Sequence, residues 1–410
     1  MNIKYLSKLI LFFFFFENSF ALDLKKLDDI YIYSLEEDDY ARFQYIDPSF
    51  NNYFVGKTNS IGNGDYDYLL VKINSNDEII FYKSLGGIGD DQGYYIYGDN
   101  DFIYLAGRSN SFGNGKYDAL IAKYSLNGDL LFSKFYGGEQ NDYAKTIKEL
   151  SNGNLMFVGR SSSYFDKNLD AWFVEIDKQG NILKNMTYGE VNQYDEFRNF
   201  IEVTDGYLFI GHSHNKLNEK KCLDKNKDMK SQSKCFDAYI VKTDFNGIEK
   251  NNLKFGSIDA QDSAKDIIKT NQNEFLVTGI KSLGSESNNQ LESNVLLLKL
   301  DKDANLIEDL SFPVGVYGVG YSLYLLSESN IIITGKTKNE KKNFDLFVAN
   351  FNIKHNELEW LKILEKKGYD EGMSVVLNEN LIQILGRSDS FKNKMDFIKF
   401  KIDFEGNIVD

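Results

Sequence analysis

The 410-residue chain carries a formal charge of −14, with 61 acidic against 47 basic side chains, 15% aromatic residues, two prolines and two cysteines. Acidity on this scale repels phosphate backbones, so nucleic acid and anionic lipid are excluded as expected partners, while cations, proteins and neutral glycans stay open. Beyond the first 21 residues no run approaches the roughly 20 apolar residues that a membrane-spanning helix needs.

At the start of the chain, Lys4 and Lys8 precede the apolar run Leu9 to Phe16, and Ser19-Phe20-Ala21 offers small residues for cleavage. This is the pattern of a secretory signal peptide over residues 1–21, so an exported protein, periplasmic or extracellular and not inserted in the membrane, is expected. Losing that segment removes two lysines and one glutamate and leaves residues 22–410 at −15.

Self-similarity governs the remainder. A short apolar stretch ends in glycine seven times, at Gly56, Gly107, Gly159, Gly211, Gly279, Gly335 and Gly386, with spacings of 51, 52, 52, 68, 56 and 51. After each glycine an acid opens a second apolar run, at Asp67, Asp118, Asp170, Asp237, Asp345 and Asp396, with Asn294 in the fifth copy. β-Branched and aromatic runs broken by Asn-Gly and Gly-Asn turns every ten residues or so read as antiparallel hairpins. In the third copy they predict strands at Tyr143 to Leu150, Leu155 to Arg160, Asp170 to Ile176 and Asn181 to Thr187.

A lone four-stranded sheet cannot bury both faces, whereas radial stacking covers each face with a neighbour. The expectation is one all-β domain over 22–410, a seven-bladed β-propeller of four-stranded antiparallel blades. The last copy stops at GNIVD, where its fourth strand should begin, and the stretch Asp28 to Leu35 reads as a fourth strand without a preceding blade. Pairing of this N-terminal strand with Asp396 to Phe404 is expected to close the ring, since an open edge leaves backbone groups unsatisfied.

YLAG at Gly107, DALIAKY after Asp118, the Tyr136-Gly137-Gly138 segment and Asn141-Asp142-Tyr143-Ala144 together resemble the repeat of bacterial secreted β-propeller-repeat proteins, GGYIVAG, DAYLIKLDSNG, YGG and DDYA. The resemblance spans Asp28 to Asp410. It implies the propeller fold and no particular chemistry.

Alternate strands run antiparallel, so the end of strand two and the starts of strands three and one share a rim. Lys57, Arg108, Arg160, His212, Lys336 and Arg387 follow the landmark glycines there; the strand-three aspartates join them, as do Asp38-Asp39, Asp90-Asp91, Asp142, Asp195-Glu196, Asp262 and Asp370-Glu371 before strand one. One reading is a charged mouth that binds a polar ligand or cation. The other is a repeated ladder in which each cation is held between two acids of neighbouring strands. Candidate rim contacts are Arg108, Arg160, His212, His214, Asp142, Asp195, Asp262, Tyr317 and Arg387.

Departures from the repeat cluster in copies four to six. An insertion at about 212–236 carries Cys222 and Cys235, expected to form a disulfide in an exported protein. Zinc at His212, His214 and these cysteines lacks the tight pair spacing of structural sites. Asp224, Asn226 and Asp228 give the alternating oxygens of a calcium loop, but Met229 and Cys235 replace its turn glycine and final glutamate. Copy five has Ile280 for the rim cation, and copy six presents PVGVYGVG over Pro313 to Gly320.

Gly56-Lys57-Thr58 and Gly335-Lys336-Thr337 lack the first glycine and the helix of a phosphate-binding loop. No GxSxG elbow occurs, and three histidines leave few bases for a triad. The expected function is a non-catalytic binding or scaffold module without a cofactor, monomeric, meeting a protein or glycan at the rim of blades four to six. The alternative is a polysaccharide hydrolase or lyase that uses rim carboxylates.

Overall fold

A computed structural model of the protein describes residues 22–27, 29–165, 168–214, 236–257, 261–283, 292–338, 343–391 and 394–409. All regular structure among them is β, and no helix is long and apolar enough to cross a membrane. The strands assort into antiparallel sheets, four of them with four strands each in simple sequence order. In the third copy the strands are Asp142–Glu149, Leu155–Ser161, Asp170–Ile176 and Ile182–Tyr188, each within two residues of the predicted bounds. An eight-stranded sheet consists of two antiparallel halves joined only by a parallel pairing of Ser293 with Tyr317.

The innermost strands of successive units are Asp39–Ile46, Asp91–Gly98, Asp142–Glu149, Asp195–Val203, Ser263–Lys269, Tyr317–Leu325 and Asp370–Asn378. Each lies against the next, and Asp370–Asn378 in turn lies against Asp39–Ile46. The core therefore sits between sheets. Tyr104 and Ala106 of one sheet pack with Phe157, Trp172 and Val174 of the following one, and Tyr33, Leu385 and Phe397 pack with Phe54, Leu69 and Val71 across the two ends of the chain.

At those ends the outermost position beside Asp396–Ile402 is filled by two short pieces. Ile30–Ser34 pairs Tyr31, Ile32 and Tyr33 with Lys399, Ile398 and Phe397, and Ile408–Val409 pairs with Ile402 and Lys401 further along the same edge. A further strand, Asp23–Leu27, covers the outside of Ile30–Ser34. Buried Gln44 donates to the Ser374 carbonyl at 3.1 Å and accepts from Gln383 Nε2 at 2.8 Å, and buried Lys399 forms an ion pair with Asp77.

The landmark glycines have a steric cause. A Cβ built on Gly159 would stand 1.8 Å from the carbonyl oxygen of Tyr143, and the same clash recurs at Gly56 with Tyr40, Gly107 with Gln92, Gly211 with Glu196, Gly279 with Ser263 and Gly335 with Val319. The obstacle is backbone and cannot swing aside. Gly159→Ala is therefore expected to destabilise by about 1–3 kcal/mol, the usual range for overpacking, as read by urea unfolding; an unchanged midpoint would contradict the steric account.

Candidate functional site

The crowding at the glycines marks a bulge in the facing strand. Register shifts fall between Ala41 and Phe43, Gly93 and Tyr95, Ala144 and Thr146, Phe197 and Asn199, Ala264 and Asp266, Gly320 and Ser322, and Gly372 and Ser374. The extra residue of a bulge is unpaired and its side chain is re-aimed. Here the extra residues are Arg42, Tyr94, Lys145, Arg198, Lys265, Tyr321 and Met373, and all of them line one axial cavity of about 150 Å³.

Of the cations in this tier, Arg198 alone among the described residues makes a contact ion pair, with Glu196. Arg42, Lys145 and Lys265 have no carboxylate within ion-pair distance among the described residues, and Arg42 Nε is buried without a hydrogen-bond partner. Tyr94 stands between two of them, its ring centroid 4.0 Å from Lys145 Nζ and 5.7 Å from the Arg42 guanidinium, contacts that a π face favours. Burial and neighbouring cations outweigh the attraction of Glu196 and push the lysines well below their ordinary range; burial and Arg387 bring Arg42 down to about 10. The carboxylate in the tier, Asp266, accepts from Asn199 Nδ2 at 2.7 Å and from the amides of Leu323 and Ile267 at 3.0 and 2.9 Å.

One step towards the mouth the charges are paired. Glu196, fully buried, bridges Arg160 at 2.6 Å and Arg198 at 2.9 Å. Glu371, equally buried, bridges Lys336 at 2.6 Å and Arg387. Burial would raise the Glu371 carboxyl, but Arg387 and Lys336 overcome it and hold it at about 2. Arg108 meets Asp90 at 2.7 Å and lies over Tyr117 and Tyr143, at 4.3 and 5.2 Å. Among the described residues Lys57 makes no ion pair and lies over Tyr66 at 3.5 Å and Tyr40 at 4.5 Å; burial followed by Arg42 brings it down to about 8.

The predicted ladder, with each cation held between two acids, is corrected on one point. Asp142, Ser161 and Asp170 share one rung of the sheet, while Tyr143, Arg160 and Ala171 share the next. Consecutive strand residues point to opposite faces, so the acidic doublets split. Asp90, Glu196 and Glu371 reach the cations; Asp91, Asp195 and Asp370 turn inward, at most 1% exposed. Asp142 accepts from the Gly138 amide at 2.9 Å and Ser163 Oγ at 2.6 Å, and Asp262 from the amides of Ser257 and Ser282 at 2.9 and 2.8 Å. Burial pushes Asp39, Asp262 and Asp370 up to about 6 and Asp67 up to about 7.

His212 does not act as a rim cation. It is 5% exposed, stacked on Tyr194 at 5.6 Å and packed on Phe236, and burial together with Arg198 and Lys265 holds its imidazole far below its ordinary range. His214 is buried beside Phe236. Tyr317 begins the sixth inner strand with its ring 5.4 Å from Phe344. The PVGVYGVG stretch serves the core through Val314, and the preceding Phe312 stacks on Phe351 at 4.7 Å. Cys222, Cys235, Asp224, Asn226 and Asp228 lie outside the described residues. A larger, shallow groove of about 660 Å³ on the outer surface, between Ser133–Tyr136 and Gly180–Ile182, holds no comparable charge.

Sequence reasoning overlooked Arg42, Lys145, Arg198 and Lys265. The signal was a column: each stands three residues after an aspartate that opens strand one, which by alternation puts it on the opposite face from that acid.

No family model matches the chain. A protein of unassigned function from Aquifex aeolicus (strain VF5) is 27% identical over 154 residues, spanning 38% of this chain and 41% of that protein. Among solved structures, a Kuenenia stuttgartiensis hydrazine synthase superposes with a TM-score of 0.54 at 10% identity, over 88% of this chain and 96% of the other, a likeness of fold. The β-propeller domain of the Trilobed protease from Pyrococcus furiosus gives 0.46 at 11% identity, over 92% and 99%. The repeated antiparallel sheets set around an axial cavity are a β-propeller arrangement.

The inward aspartates yield a signed pH effect. Asp67 titrates near 7 when folded against about 3.9 unfolded, so between these values the native state holds a proton that the unfolded chain has lost. Its contribution is favourable below that window and is lost as pH rises through it. Unfolding free energies for wild type and Asp67→Asn at pH 5 and pH 8 are expected to show the variant's deficit shrinking by on the order of 2 kcal/mol at the higher pH; a deficit that grows would reverse the assignment.

Proposed function

We propose that the chain is an exported, non-catalytic binding module, a seven-bladed propeller zipped by its N-terminal strand, which takes its ligand at the mouth of the axial channel. The carrying observation is the convergence of the bulge side chains, one from each inner strand, on a single cavity with unsatisfied polar capacity. The sector of the fourth to sixth blades contributes Arg198, Asn199, Lys265, Asp266 and Tyr321, so the rim expected from sequence and the channel adjoin there. Seven blades rest on the seven inner strands, and the zip on the pairing of Ile30–Ser34 with Asp396–Ile402.

A polysaccharide hydrolase acting through rim carboxylates is the weaker reading. The rim acids with raised protonation, Asp39, Asp67, Asp118, Asp262 and Asp370, are at most 2% exposed. They recur from blade to blade, bound to backbone amides and hydroxyls. Those features belong to blade construction.

Met373 is the bulge residue without a charge or hydroxyl, and Met373→Trp fills the cavity from one side without removing a charge. In a thermal-shift screen of glycans and small metabolites, the expected outcome is that this variant loses every wild-type hit, with affinity reduced at least about tenfold, equal to ~1.4 kcal/mol. Hits that survive the substitution but vanish on deleting residues 217–234 would place the site elsewhere. A turnover signal abolished by a single rim aspartate would sink the non-catalytic reading.

A further inference from the structure

Resting on the channel reading, we infer that the axial cavity is a site for a tetrahedral oxyanion, a sulfate or phosphate group, gripped by Arg42, Lys145, Arg198 and Lys265 beside Tyr94 and Tyr321. Four inner strands each spend their bulge on a cation, and these cations meet in the middle of a chain whose formal charge is −14. Crowding like charges in a cavity is unfavourable unless a counter-charge arrives. At the mouth, carboxylates supply it: Glu196 and Glu371 each neutralise two cations. Around the cavity, Arg42, Lys145 and Lys265 make no contact ion pair among the described residues and feel Glu196 or Glu371 only at longer range, while Arg198 shares Glu196 with Arg160. Asp266 is already engaged by Asn199 and two backbone amides.

Size admits the class: a space of about 150 Å³ has room for a five-atom oxyanion. Planar guanidinium forks on Arg42 and Arg198 match two oxygens apiece, and the lysine ammonium groups serve as point charges. Protonation agrees with this. Burial with Arg160 and Arg198 holds Lys145 down, and burial with Arg198 holds Lys265 down, against the pull of Glu196, whereas Arg42, near 10, keeps its charge at neutral pH and draws the anion first. The oxyanion is either free or the ester group of a larger molecule whose remainder projects through the mouth.

The test is calorimetric titration with sodium sulfate, sodium phosphate, N-acetylglucosamine 6-sulfate and unsulfated N-acetylglucosamine, with sodium chloride holding ionic strength constant. Saturable binding of an ion or of the sulfate ester is expected, weakened about ten- to a hundredfold by Lys145→Gln or Lys265→Gln, the range for losing one charge-assisted hydrogen bond. Equal affinity for inorganic sulfate and the ester identifies the free ion; tighter ester binding identifies the group on a larger molecule. Lys145→Met and Lys265→Met remove a half-buried amine that makes no ion pair among the described residues, so without ligand they are expected to melt at or above the wild-type midpoint, which separates lost binding from lost folding. No saturable binding of either ion or the ester, or unchanged affinity in both glutamine variants, overturns the oxyanion. If the unsulfated sugar binds and only Met373→Trp abolishes it, the channel stands and the oxyanion falls. If sulfate binds wild type and Met373→Trp alike, both fall.

Discussion

Every functional statement about this protein depends on the contact between a glycine and the bulge across from it. The bulge gives each inner strand one residue more than its partner, and the displaced backbone brings a carbonyl to within 1.7–1.9 Å of where a Cβ would lie on the facing glycine in six of the repeats. Only a residue without a side chain allows that approach. In return, one side chain per inner strand is released from the pairing pattern and turned to the axis. The fold is indifferent to that side chain's chemistry, which is why arginine, lysine, tyrosine and methionine occupy equivalent positions. A position that packing leaves free can be spent on recognition.

Charge is arranged in depth around the axis. The inward aspartates accept from loop amides and hydroxyls, as Asp67 does from the Asn63 amide, Asp142 from the Gly138 amide and Asp370 from Ser390 Oγ. The mouth is a belt of paired ions wedged between aromatic rings, as at Arg160 over Tyr143 at 4.3 Å and Tyr194 at 5.0 Å. Such a belt is stiff, because moving one cation breaks an ion pair and uncovers a π face together. The tier lining the cavity has the fewest contact ion pairs among the described residues, and charge without a close partner is costly where solvent access is limited. A protein that needed only a stable ring would fill those positions as it fills Met373.

Much of the fold was legible in the sequence because repetition averages over local ambiguity: hairpin periodicity, landmark glycines and the orphan strand near Ile30–Ser34 each reported on a whole sheet. The site was less legible for a specific reason. Acidic doublets such as Asp195-Glu196 read as one feature along the chain, yet a strand sends them to opposite faces, one to the loops and one to Arg160 and Arg198. His212 misled by standing in a column of cations; its surroundings, Tyr194, Phe236 and Ser263, come from elements remote in sequence. The two-piece outer strand was half visible, since GNIVD showed where a strand was missing but not that Ile408–Val409 begins it before Ile30–Ser34 completes it.

That shared edge bears on the axial site as well. The inner strands hold their bulges at a common depth only if the first and last units are fixed in register, and the join achieves this at three radii: Gln44 with Gln383 and Ser374 near the channel, Lys399 with Asp77 further out, and the strand pairing at the periphery. Arg42 and Met373 come from the units on either side of the join. Loosening it at any radius shifts those two against each other, so the geometry around the cavity is coupled to closure in a way that the other five contributors, each buttressed by continuous chain on both sides, are not.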